Sequence, residues 1–139
     1  MTPQDAALNL AAALCLSAVI GFERQWRNRL AGLRTNTLVA LGAATFLMFA
    51  QLYPQEASPT RVAAQVVSGI GFLGAGLIFR EGLSVRGLNT AATVWCCSAV
   101  GVLAGLGLNA WALLAALLVL AANVILHFFE HRLSETPDK

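Results

Sequence analysis

Charge is scarce in this chain. Seven acidic and nine basic side chains are spread over 139 residues, 12% of the total, where an ordinary soluble domain carries about 25%. Together with a hydrophobic content of 58%, this points to a membrane protein. The patterns that begin hydrolytic or metal chemistry are missing as well. There is no GxSxG, HExxH or CxxC, so catalysis has little to start from, and neither an enzyme nor a cofactor is expected. The three cysteines, Cys15, Cys96 and Cys97, all lie in apolar runs. There cysteine acts as a small apolar residue, and neither number nor spacing suggests a disulfide framework. Basic and aromatic residues are not interleaved, which argues against a nucleic-acid partner.

What is present is apolar and segmented. Five stretches without charge, about Ala6 to Phe22, Thr37 to Tyr53, Val62 to Phe79, Ala91 to Leu108 and Ala110 to Phe128, approach the roughly 20 residues that cross a bilayer as a helix. The expected fold is therefore all-α, a polytopic membrane bundle of about five transmembrane helices spanning residues 1–130, with a short tail at 131–139. The first stretch reads as a permanent span, because arginines follow it and no basic residue precedes it. Arg24, Arg27, Arg29 and Arg34 fall between spans one and two, Arg80 and Arg86 between three and four, and Arg132 and Lys139 after five; Arg61 alone falls on the other side. By the positive-inside rule the N-terminus is expected outside and the C-terminus in the cytoplasm. The bilayer is the first partner this implies.

One phrase occurs twice. Gly32-Leu33-Arg34-Thr35 and Gly87-Leu88-Asn89-Thr90 each open a span, and Phe22-Glu23-Arg24 and Phe79-Arg80-Glu81 each close the preceding one. Spans one and two and spans three and four thus read as a duplicated helical hairpin whose loops share one membrane face. Thr35 and Thr90 are expected at or near helix N-caps. Two helix N-termini ringed by arginines suit anions, either a specific ligand or lipid headgroups. Arg34 against Asn89 would make a shared site asymmetric. Glu23 and Glu81 at matching places could hold a divalent cation with water, but arginines beside each make self-neutralising ion pairs the cheaper reading. His127 and His131 stand one turn apart without a third ligand, so no metal site is assigned.

Small residues govern packing in lipid. Gly69, Gly71, Gly74 and Gly76 make span three the expected central helix, and Gly101 and Gly105 with Cys97 give span four a small face. Two readings of the glycine run stay open: close helix packing, or an unwound segment exposing carbonyls to an ion. Small residues on more than one face also predict a homodimer. Gln65 and Ser68 are polar within span three, near Arg61, which either snorkels with Glu56 as partner or forms an interior ion pair or a gate on the outer side. Asn123 is expected to bond another helix.

The blocks Ile20 to Gln25, Gly32 to Thr35, Arg61 to Gly76 and Val85 to Trp95 resemble, in order and spacing, the signature of the MgtC/SapB family of bacterial inner-membrane proteins. The likeness runs from Leu10 to about Leu126, the membrane domain of that family; many members carry a further cytoplasmic domain after the last span. The resemblance implies a plasma-membrane protein associated with magnesium limitation. It implies a regulatory, non-enzymatic role through other membrane proteins, including the F-type ATP synthase; a magnesium or other ion transporter or channel is the alternative. Residues matching the family blocks are Glu23, Arg24, Arg34, Arg61, Gln65, Ser68, Arg86, Asn89 and Thr90, to which the repeat adds Thr35.

Overall fold

The computed structural model describes residues 1–55 and 58–134, with side chains through 129. Five helices, α1 (Pro3–Trp26), α2 (Leu33–Leu52), α3 (Pro59–Leu77), α4 (Leu88–Gly105) and α5 (Asn109–Ser134), run up and down, and all five are long and apolar enough to cross a membrane. The first four begin three or four residues before the charge-free stretches that predict them and α5 begins one residue before, because polar residues occupy the first turns. In α1, Thr2 at the N-cap and Asp5 in the first turn form a reciprocal capping box around Pro3. α5 continues through Ser134, so the helix includes the first residues of the expected tail.

The central helix is α4, not α3. It packs against each of the other four helices, and half of its apolar window is buried, against 6% for α3. The reason lies in side-chain size on facing helices. A Cβ added at Gly101 would stand 2.2 Å from the Ala40 carbonyl oxygen, and one at Gly105 would stand 2.5 Å from that of Ala44. The α2 and α4 backbones therefore touch across two matched small pairs. α1 adds a stripe at helical spacing, Asn9, Ala13, Ser17, Ile20 and Arg24, and the core that results is built largely of alanine with Ile20, Cys97 and Val100. The glycines expected to place α3 at the centre have no such neighbours. Nothing lies within 4 Å of a Cβ at Gly69, Gly71 or Gly76, and Gly74 meets only the Ala91 Cβ at 3.9 Å. α3 is a side helix whose buried residue is Ile70. Its helical form is continuous from Pro59 to Leu77, so the run is not unwound.

Two polar bonds tie the end opposite the arginines. Asn109 Nδ2 donates to Asn9 Oδ1 at 2.9 Å, and Gln51 Nε2 donates to the Gly105 carbonyl at 2.7 Å. Midway along α5, Asn123 accepts from Thr93 of α4 at 3.3 Å, the interhelical bond expected of it. The turn Leu106–Leu108, with Gly107 at φ 77°, makes α4 and α5 antiparallel neighbours.

The α3–α4 connection carries an element absent from the expectation, a two-stranded antiparallel hairpin of β1 (Phe79–Glu81) and β2 (Ser84–Arg86). Gly82 takes the first central turn position at φ 61°, the placement hairpins with two-residue turns favour. Arg80 Nε donates to the Gly82 carbonyl at 2.8 Å. The hairpin returns the chain at Gly87, which combines φ 90° with a carbonyl, that of Leu77, 1.8 Å from where a Cβ would be. Gly87→Ala is therefore expected to lower the thermal midpoint in detergent more than Gly82→Ala, where φ is also positive but nothing stands within 4 Å. Equal shifts would show that backbone conformation alone, about 1–2 kcal/mol, decides both.

Candidate functional site at the arginine-rich end

The two copies of the repeated phrase occupy identical helical register. Gly32 and Gly87 are the N-caps of α2 and α4, neither with a side-chain cap bond; the leucine follows at the first helical position, Arg34 or Asn89 at the second, and Thr35 or Thr90 at the third. The threonines thus stand inside the first turn rather than at the cap. The glycine fits each copy for a different reason. Gly87 needs its positive φ, whereas Gly32, at φ −99°, must admit Gln25, whose Oε1 lies 3.0 Å from a Cβ built there.

The start of α2 is satisfied from within the hairpin. Gln25 Oε1 accepts from the Leu33 N–H at 3.2 Å, and Asn36, fully buried, donates its Nδ2 to the Ala31 and Gly32 carbonyls at 3.0 and 2.8 Å. A cap supplied by α1 replaces the missing side chain of Gly32 and closes α1 onto α2. The contact is tight, because a Cβ at Gly21 would meet the Leu33 Cα at 2.8 Å.

The start of α4 is built differently. Arg24, 2% exposed, reaches from the end of α1 and donates Nη2 to Thr90 Oγ1 at 3.0 Å; Thr90 is itself 5% exposed. This is where the structure brings the two hairpins' polar residues together. A guanidinium buried against the first turn of a helix is an excess of donors and positive charge: the helix end already carries a positive partial charge and free N–H groups. Its Nε has no hydrogen-bond partner among the described residues. The nearest acid in sequence is engaged elsewhere, since Glu23 Oε1 lies 2.6 Å from Arg27 Nε one turn on, in an ion pair not aligned as a hydrogen bond. Unpartnered acceptors, Glu23 Oε2, Asn36 Oδ1 and Thr37 Oγ1, are buried among the described residues as well. The Arg24 guanidinium is the group here that would suit an acceptor-bearing ligand such as a phosphate or carboxylate.

Around it the remaining residues of the phrase are exposed. Arg34, Thr35, Asn89 and Arg86 all face outward, and Arg86 pairs with Glu81 across the hairpin at 3.2 Å. Glu23 and Glu81 thus sit in separate ion pairs, with Arg27 and Arg86. Among the described residues no group of three His, Cys, Asp or Glu could hold a metal ion. His127 Nδ1 lies 3.4 Å from Arg29 Nη2, which fastens the end of α5 to the α1–α2 loop; the His131 side chain lies outside the described residues.

Arg61, Gln65 and Ser68 belong to a different place. They lie toward the other end of α3 and are exposed; Arg61 and Gln65 line a groove of about 900 Å³ between α2 and α3. Glu56, the expected partner of Arg61, lies outside the described residues. The candidate residues therefore divide between two ends of the bundle. The sequence reading noted Gln25, Arg27 and Asn36 at this end of the chain but did not count them among the site residues, although Gln25 directly follows Phe22-Glu23-Arg24 and Asn36 directly follows the repeated phrase.

Five apolar helices packed around α4 and the hairpins' shared polar end define a multi-pass membrane protein built from two related hairpins and an added helix. The chain belongs to the MgtC family, whose model matches residues 10–132. It is similar to Protein MgtC of Brucella abortus (strain 2308), 65% identical over 117 residues that cover 84% of this chain and 49% of that protein. Protein MgtC of Salmonella typhimurium (strain LT2) is 57% identical over 130 residues, covering 94% of this chain and 56% of its own length. The chain spans about half the length of the curated relatives it matches. No solved structure matches it.

Proposed function

We propose that this chain is a non-enzymatic regulator of the bacterial inner membrane, linked to magnesium homeostasis and adaptation to magnesium limitation, that acts through membrane-protein partners, the F-type ATP synthase among them. The N-terminus lies outside and the arginine-rich end faces the cytoplasm. The observation that carries this reading is the buried Arg24–Thr90 contact at 3.0 Å, which joins the two hairpins at the end of the bundle where Arg34, Arg86 and Asn89 are exposed. Backbone contact between α2 and α4 at Gly101 and Gly105 fills the middle of the bundle, which supports binding over conduction. The second reading, an ion transporter, draws on the α2–α3 groove with Arg61 and Gln65 on its wall.

Two measurements separate them. Vesicles containing the purified chain are expected to take up magnesium no faster than protein-free vesicles; uptake above that level, lost on Gln65→Ala or Asn89→Ala, would replace the regulator with a transporter. In a strain lacking its own copy, the chain is expected to restore growth in low magnesium, and Arg34→Ala with Asn89→Ala to abolish that rescue at unchanged protein level. Full rescue by the double variant would remove the arginine-rich end from the function.

A further inference from the structure

α3 and α5 are the two least buried helices, and they expose opposite kinds of surface. α5 presents leucine and isoleucine, with Leu113, Leu114, Leu117, Leu118 and Ile125 all exposed, as a face against lipid tails should. α3 is more strongly amphipathic than any other helix. Its face opposite Ile70 carries Arg61, Gln65, Ser68, Phe72 and Gly76 at successive helical turns, all exposed. Gln65 and Ser68 make no hydrogen bond within the described chain, and nothing stands near Gly69 or Gly76. Polar groups without partners inside a bilayer are costly, and lipid tails offer them nothing.

We infer that this face of α3 is the contact between two copies of the chain, packed α3 to α3 about a two-fold axis along the membrane normal. Three features favour a second copy over another occupant. A two-fold axis in that direction sets each α3 residue against its own counterpart at the same depth. The Gln65 amide and the Ser68 hydroxyl are each both donor and acceptor, so each satisfies its twin. The shape is reciprocal too. Phe72 is 82% exposed, and α2 runs antiparallel to α3, so the Leu38 end of the groove lies level with Leu73. At that depth the wall is Leu38, Gly42 and Leu73, apolar, with open space at Gly42. Each Phe72 can enter the other copy's groove, while Arg61, at the helix end, reaches toward the headgroups. The inference is independent of what the arginine-rich end binds.

The test uses disulfide cross-linking in membranes with single cysteines introduced into a background carrying Cys15→Ala, Cys96→Ala and Cys97→Ala. Gln65→Cys and Ser68→Cys are expected to give a product of twice the chain mass, and Leu117→Cys on α5 to give none. In parallel the wild-type chain in lipid nanodiscs is expected to show two copies per disc, and Gln65→Leu with Phe72→Ala to lose the two-copy species while unfolding as cooperatively as wild type. Absence of the doubled product at both α3 positions would overturn the inference. So would a cross-linked product of another mass, meaning a different protein on that face, or single wild-type copies retaining lipid, meaning a lipid in the groove.

Discussion

Gly101→Val is expected to abolish the folded bundle. The glycine has no slack: the first added carbon alone would lie 2.2 Å from the Ala40 carbonyl oxygen and 2.8 Å from its Cα. What it meets is backbone, which cannot rotate away as a side chain could. Four residues on, Gly105 repeats the arrangement against Ala44, 2.7 Å from its Cα, so α2 and α4 can separate at one pair only by separating at both. Extra carbon atoms forced into a packed core cost about 1–3 kcal/mol even where side chains can yield. Here the seam joins the helix that touches all the others, and total stability is about 5–15 kcal/mol. Gly101→Val should lose its monodisperse peak in size-exclusion chromatography and its cooperative thermal transition, and Gly101→Ala should keep a transition at lower temperature. Gly42→Ala, on α2 but with nothing within 4 Å, should unfold no earlier than wild type, since alanine is the better helix residue by about 0.5–1 kcal/mol. A Gly101→Val protein that unfolds like wild type would mean that the glycines do not set the spacing.

The same seam explains what the sequence conceals. Helix number, the duplicated hairpin and the Asn123 bond were all legible, because each depends on one segment's own pattern: runs without charge, a phrase repeated, an amide inside an apolar span. The position of α3 was not. A count of glycines measures how closely a helix can be approached, and the approach happens only where the partner is also small. Ala40 and Ala44 on α2 face Gly101 and Gly105; they do not face Gly69 or Gly71. That match is a property of two helices and shows in neither alone. At the polar end the repeat placed Thr35 and Thr90 in equivalent registers, as they are, but could not foretell that one is exposed and the other buried under Arg24. The hairpin at Phe79–Arg86 was missed because strands of three residues are too short for alternation to register, although Gly82 at a turn position was its available signal.

Removing both members of the Arg24–Thr90 pair is expected to spare stability and end function. The two single variants each leave a different group unpaired. Thr90→Val keeps the shape but removes the acceptor of the Arg24 Nη2 hydrogen bond, and losing a hydrogen bond to a charged group costs about 1.5–3 kcal/mol. Arg24→Met keeps most of the stem's packing and removes the charge; the orphaned hydroxyl costs about 1–3 kcal/mol if it finds no partner and less if it turns to its own helix. With Arg24→Met and Thr90→Val together neither group is left wanting, and an apolar replacement of a buried polar pair is often neutral or better. Thermal or denaturant unfolding of the four proteins should therefore show the double variant more stable than Thr90→Val, with a coupling of about 0.5–3 kcal/mol. Additive losses would mean that the 3.0 Å contact contributes nothing specific. The growth assay in low magnesium then divides structure from function. A double variant that folds, reaches the membrane at wild-type level and still fails to restore growth places the role of Arg24 in its unpartnered Nε and its charge, which no packing can replace. One that restores growth fully reduces the pair to a clamp between α1 and α4, and moves the search for the binding residues outward to Arg34, Arg86 and Asn89.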